Sequence, residues 1–431
     1  DHDITVTAPP DKPEFYHWDV RLSEIARNAY RHIQKLGQLP NPAEFLSFKN
    51  CSSVPVDVQF DYLEITAPHH EVWPPKSHSQ IFIDSQYEDD EKKYAREILT
   101  NFMQRAWRRV ITKEEVDQKL RLFAKIRPQC GDFQEAILEV LATVLSSPKF
   151  LYLSLESSNE ENKIQSISDF DLASRLSFFL WSSSPDDELL KIAAKGKLRD
   201  PKIIREQTRR LLANPKAERF THHFTRQWLG LESLDFLKLD KKTYRDVDPL
   251  LMEEMTKEPI AFFTEVLKNN DSIMHFLNSN YVVINDRLAR HYNLPEVFGN
   301  EFRPVKLPFS SKRGGVLTQA GLLAMNSDGK DSHPLKRGIW LLENILNDPP
   351  PPPPPAVPEI DLADPEILKL TLKERMEDHR NDPACMSCHV KIDPWGIAFE
   401  NFDAVGKWRD SIGKNPVDST SKLYNKHELR G

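Results

Sequence analysis

Glu91-Lys-Lys-Tyr-Ala-Arg-Glu-Ile-Leu-Thr-Asn-Phe-Met-Gln-Arg-Ala-Trp-Arg-Arg109 is the stretch on which the fold turns. It is a strong amphipathic run of helical period, and from about Asp89 onward the pattern stays helical. Thr112 and Glu115 form a capping box that predicts a helix through about Ile126, and Asp132 with Glu135 opens the next, which Pro148 ends. Further starts place proline just inside a capping residue, at Ser184-Pro185, Asp200-Pro201, Asn214-Pro215 and Asp364-Pro365. Helices are predicted over 169–181, 185–195, 201–213, 215–229, 249–268, 286–292, 314–325, 334–346 and 365–379. The segment 293–311, with Pro295, Gly299, Pro304 and Pro308, reads as an irregular connection.

Ahead of this body the signal changes. Val54, Val56, Val58, Phe60 and Tyr62 alternate up to Leu63-Glu-Ile-Thr66, the period of a half-buried strand, with shorter strands expected at Ala43–Lys49 and Gln80–Asp84. Arg21 to Leu36 has helical spacing among these strands. The class expected is therefore α+β. It has a β-rich N-terminal portion over 1–88, part of a β-sandwich in one reading, and a predominantly α-helical domain over 89–348. A polyproline linker over 349–358 and a small C-terminal helical segment over 359–431 complete it. The aromatic residues Phe15, Tyr16, Trp18 and Trp73 either floor a carbohydrate site or pack a core.

Composition narrows the class. With 39% hydrophobic and 29% charged residues, the 431-residue chain falls in the range of ordinary globular proteins long enough for several domains. A formal net charge of -7 offers no basic field for nucleic acid. No apolar run approaches the roughly 18 residues of a membrane span. G-x-S-x-G, P-loop and H-E-x-x-H signatures are missing from the sequence, so hydrolase chemistry has no support there. The pairs His69-His70 and His222-His223 are adjacent residues, which point apart on a helix or strand and seldom chelate one metal.

Seven prolines, Pro349 to Pro355, favour polyproline II and read as a stiff spacer or as a docking strip. Beyond them stands Asp382-Pro-Ala-Cys385-Met-Ser-Cys388-His389, a C-x-x-C-H motif that reads as a c-type haem attachment site and makes 359–431 a cytochrome c-like haem segment. Two thiols three apart can each add to a vinyl group of the porphyrin, and the following histidine then ligates the iron. Zinc and a plain disulfide or dithiol are the competing readings, but no second C-x-x-C exists, and Cys51 and Cys130 are single. Those two could pair with each other in an oxidising compartment. Covalent haem c attachment implies a periplasmic or extracellular protein.

After His389, Trp395, Phe399, Phe402 and Trp408 could wall a porphyrin or simply form a small core. The carbonyl of Pro394, or a neighbouring one, is the expected acceptor for the second ring nitrogen of His389. No methionine follows His389, so a sixth ligand must come from upstream, with Met325 ranked ahead of His333. Met376 and His379 share a predicted helix nearer the motif.

Leu176-Ser-Phe-Phe-Leu-Trp181-Ser-Ser-Ser-Pro-Asp-Asp-Glu-Leu-Leu190, Arg313-Gly-Gly-Val-Leu317, His333-Pro-Leu-Lys-Arg-Gly338, the proline run and Cys385 to Arg409 together resemble the large secreted haem-c-motif proteins of planctomycetes. The similarity covers about residue 55 to the end. It implies an exported, c-type cytochrome-like protein of adjoining domains with no assigned activity, serving a redox partner protein. Members of that family begin upstream of Asp1 and continue past Val417-Asp-Ser-Thr, so the chain is expected to be part of a longer protein. A haem enzyme of peroxidase or oxidase type, and an extracellular carbohydrate-binding or scaffold protein, are the alternatives.

Overall fold

The computed structural model describes residues 4–20, 57–66, 69, 72–153, 167–352, 373–374 and 383–431. They divide into two compact units, one of residues 64–223 and one that joins 1–63 to 224–431.

The 64–223 unit is helical: α1 (Lys76–Ser79), α2 (Glu91–Trp107), α3 (Lys113–Ile126), α4 (Phe133–Leu145), α5 (Pro148–Leu151), α6 (Asp169–Trp181), α7 (Asp187–Ala194) and α8 (Pro201–Leu212). Its ends obey the local capping signals. Thr112 accepts from the Glu115 amide while the Glu115 carboxylate accepts from the Thr112 amide, and Asp132 and Asp200 cap α4 and α8. The stripe Ile98, Leu99 and Met103 of α2 packs with Leu120 and Phe123 of α3 and Ile137, Val140 and Val144 of α4 in one fully buried cluster. Trp181 closes a second cluster of α6 to α8, its indole donating to the Leu211 carbonyl at 2.8 Å. The start expected at Ser184-Pro185 lies two residues later. Asp186 is the cap there, accepting from the Leu189 amide while paired with Arg210, because a carboxylate serves both partners at once.

Helix α9 (Glu218–Leu229) carries the boundary between the units, at His223 and Phe224. The second unit contains α10 (Pro249–Asn269), β1 (Tyr281–Ile284), α11 (Asp286–His291), β2 (Arg303–Lys306), α12 (Ala320–Met325), α13 (Pro334–Trp340) and α14 (Pro383–Ile397), followed by the hairpins β3 (Ser411–Ile412) with β4 (Asn415–Pro416) and β5 (Thr420–Lys422) with β6 (Glu428–Arg430). The segment expected to be irregular holds β2, which pairs antiparallel with β1 in the register Val282 to Val305. The predicted helix 314–325 is broken by the extended backbone of Gln319, and 334–346 passes from α-helix into a π-turn at Leu341–Ile345.

The α+β class with a helical body stands, but the strands lie elsewhere than their periodicity indicated. Residues 57–66 form no strand, and Phe60, Tyr62 and Ile65 are more than half exposed. Alternation creates an apolar face, yet a strand exists only when a neighbour satisfies its backbone. Gln80–Asp84 is a turn following α1. Val54, Val56, Ala43–Lys49, Arg21–Leu36 and Cys51 lie outside the described residues, as do all but two residues of the predicted helix 365–379. Among the described residues no helix is long and apolar enough to cross a membrane.

Candidate functional site

Helix α14 carries positions 385, 388 and 389 in its first two turns. Residues i, i+3 and i+4 share one helical face, so the two cysteine positions and the histidine form a stripe that Asp393 continues. Cys388 and His389 are half-buried, whereas Met386 and Val390 are exposed. His389 Nδ1 stands 2.9 Å from Asp393 Oδ1, and the Asp393 side chain has no exposed surface. An ionised carboxylate only accepts, so the imidazole donates through Nδ1, and Nε2 is then the nitrogen suited to a metal. This corrects the expectation for Pro394, whose carbonyl accepts instead from the Ser421 hydroxyl at 2.7 Å. Within a helix the i+4 side chain reaches the ring, while backbone carbonyls run parallel to the axis.

Two glycines seat α14 on α13. A Cβ on Gly396 would fall 1.8 Å from the Pro334 carbonyl oxygen, and one on Gly338 would fall 2.4 Å from that of Ile392. Only residues without a side chain permit this approach of backbone to backbone. Arg337 then locks the far end of α14: it is buried, and it donates to the carbonyls of Phe399 at 3.0 Å, Phe402 at 2.7 Å and Asp403 at 2.6 Å. These oxygens follow the helix C-terminus, where a guanidinium complements the dipole.

Glu400 lies 3.8 Å from Arg337 and accepts from Ser332 Oγ at 2.7 Å. Burial pushes its carboxyl up to about 7, against the downward pull of Arg337 and Ser332. Arg409 joins the cluster, donating to Asp331 at 2.5 Å and to Ser332 at 2.7 Å. A second buried group holds the turn 404–406. Tyr292 donates to Glu258 at 2.6 Å beneath the Arg313 guanidinium, which lies 3.8 Å over the tyrosine ring and also donates to the Gly406 carbonyl. His291 Nε2 meets the Val405 carbonyl at 2.8 Å, and burial pushes this histidine down to about 4.

The other predicted residues are distributed as follows. Met325 is buried in a cluster with Leu229, Leu231, Trp340 and Leu341, and Trp395 and Phe399 pack partly buried against that same cluster. His333 caps α13, its Nδ1 accepting from the Lys336 amide at 3.4 Å. Phe402 and Trp408 meet edge to face at 5.2 Å. Phe15 and Trp18 belong to one unit and Trp73 to the other, all exposed. Met376 and His379 lie outside the described residues. Among the described residues no group of three or more His, Cys, Asp or Glu side chains is placed to hold a metal ion. Sequence reasoning passed over Asp393, which its i+4 spacing from His389 would have revealed. It also passed over Arg337 and Glu400, 63 positions apart, for which no local signal exists.

The stretch that contains α13, α14 and every member of the Arg337 cluster is also one to which a known family model is similar. Three family models match the chain. PSD5, a protein of unknown function (DUF1595), matches residues 94–154; PSD4, likewise of unknown function (DUF1592), matches 167–294; PSCyt3, also of unknown function (DUF1588), matches 313–412. They are planctomycete cytochrome-c-like domain families. The PSCyt3 match runs across the proline segment, so α13 and α14 both lie within the stretch similar to that one model although prolines separate them in sequence. No curated protein and no solved structure matches the chain.

Proposed function

We propose that this chain is an exported, c-type cytochrome-like protein that holds one haem covalently through Cys385 and Cys388, with His389 as axial ligand, and passes single electrons between partner proteins. The observation that carries this reading is the C-x-x-C-H sequence on the first turns of α14, with its imidazole oriented through Nδ1 by a buried carboxylate. The donor set fits the group: two thiols for the vinyl carbons and an imidazole whose Nε2 suits iron. Each thiol adds its S–H across a vinyl double bond, forming a thioether without oxidant or leaving group. Haem supplies a one-electron ferric/ferrous couple. Trp395, Phe399 and Met325 are proposed as apolar surroundings and, for Met325, as a sixth ligand. Covalent attachment places the protein in the periplasm or outside the cell.

Expression alongside a c-type maturation system tests the proposal. Haem that stays with the polypeptide through a denaturing gel, and is lost from the Cys385→Ser/Cys388→Ser double variant, supports it. Wild-type protein that carries metal ions or a disulfide at these positions and no porphyrin overturns it. The same His389–Asp393 pair favours a second reading, a peroxidase- or oxidase-like haem enzyme. High-spin ferric absorption with rapid peroxide turnover would select that reading over electron transfer.

A further inference from the structure

The unit of residues 64–223 holds a cavity of about 450 Å³ to which the haem reading gives no part. Arg108, Phe150, Tyr152, Leu153, Phe178 and Ser183 are among the residues that line it. We infer that this cavity binds a small amphipathic carboxylate, the acid group held by Arg108 and the hydrocarbon body by the aromatic and leucine walls.

Arg108 follows α2 as its C-cap, in the left-handed conformation with φ 58°. Only 6% of it is exposed. Its guanidinium donates to the Ala106 carbonyl at 3.0 Å and, at the end of α5, to those of Lys149 at 3.1 Å, Phe150 at 3.2 Å and Tyr152 at 3.1 Å. These bonds satisfy orphan carbonyls of a helix end, but every acceptor is neutral, so the positive charge is left unanswered. Among the described residues no carboxylate pairs with Arg108. Asp171 acts on it only at longer range, and its own carboxylate accepts from Ser168 Oγ at 2.7 Å. A guanidinium carries five N–H donors. Four serve the carbonyls, and the Nε–H has no hydrogen-bond partner among the described residues. A cation so buried is costly without a counter-charge, and an anion entering the cavity supplies one.

The remaining walls select the rest of the ligand. Leu151, Tyr152 and Leu153 are each more than half exposed, and the Phe178 ring centre lies 5.7 Å from the guanidinium carbon. Ser183 adds a hydroxyl whose oxygen is buried without a hydrogen-bond partner among the described residues, a donor for the second carboxylate oxygen. Mostly apolar walls with a few convergent polar groups, in a volume of about 300–1,000 Å³, are the usual make-up of a small-molecule site. An inorganic anion would use the guanidinium alone and a neutral lipid the walls alone, whereas a carboxylate with a hydrocarbon body uses both.

The probe is octanoate, titrated calorimetrically into the full chain at about pH 7, with the uncharged octanamide of equal length as control. Octanoate is expected to bind about tenfold tighter or more, since the amide lacks the charge that Arg108 answers. Equal or weaker binding than the amide, or no binding of octanoate, overturns the inference. Arg108→Gln would also unfasten the turn at 149–152, so the place of binding is read from Leu153→Trp, which narrows the cavity and keeps all four carbonyl bonds. That variant is expected to bind octanoate about tenfold more weakly or worse, with an unchanged thermal unfolding midpoint. Octanoate binding by Leu153→Trp equal to wild type would put the ligand elsewhere and overturn the assignment.

Discussion

The helices of 91–145 and the α13–α14 pair are both buried helical contacts, yet they are assembled by different means. In α2, α3 and α4 the contact is made by apolar residues at helical spacing, and each helix start is capped by a side chain three residues away. In α13 and α14 the contact is made by glycine against backbone and by a buried polar cluster whose bonds between the two segments span 62 to 78 residues. The first kind of packing tolerates change in proportion to volume removed. The second is all or nothing, because each buried donor or acceptor relies on a partner from another segment.

The sharpest break of this comparison is Arg337→Leu. It removes the buried guanidinium beside Glu400, which keeps Ser332 and Arg409, and takes the donor from three carbonyls, so a loss of about 3–5 kcal/mol is expected. Hydrogen exchange read by peptide should show protection lost over 334–340 and 383–409 and retained over 91–145. Equal loss in both would erase the distinction. Next in size, Gly396→Ala should cost about 1–3 kcal/mol or more by overpacking against the Pro334 carbonyl. A denaturation midpoint equal to wild type would mean that the helices do not approach at backbone distance. On the other side, Thr112→Ala removes one cap and should cost about 1 kcal/mol, measured by urea unfolding with exchange faster at the start of α3 alone.

A separate handle on the same buried cluster is pH. The Glu400 carboxyl titrates near 4.5 when unfolded and about 7 in the fold, so its contribution to stability is full below 4.5 and is lost as pH rises through 7. Glu258, buried and also pushed up to about 7, acts in the same direction. His291 runs the opposite way: its ordinary value of 6.5 falls to about 4, so its contribution is present above 6.5 and is lost as pH falls toward 4. Glu400→Gln should therefore gain stability relative to wild type as pH climbs from 4.5 to 7. A difference that stays flat across that window would show Glu400 ionised in the fold.

Much of the helical body was legible because helix signals are local. The segment Asp169–Trp181 was predicted to the residue, and Thr112, Asp132, Asp200 and Asn214 each cap as their neighbours indicated. Alternation over 57–66 misled because it reports a face and says nothing of a pairing strand. At the site, the C-x-x-C-H spacing and its helical context could be read, and so could Asp393 in principle, four residues on. The role of Arg337 could not.

By itself, then, the order of residues determined the helical character of the body, the helix ends, and a motif whose chemistry is written in five consecutive positions. Each of these depends on contacts within about one turn of helix, which chain order specifies directly. Only the tertiary structure decided that Gly338 and Gly396 let two helices meet at backbone distance, that Arg337 and Glu400 are buried together, and that the acid beside His389 is shut away from water. Burial is a property of what folds over a residue, and for Asp393 the covering segment arrives from more than fifty positions away.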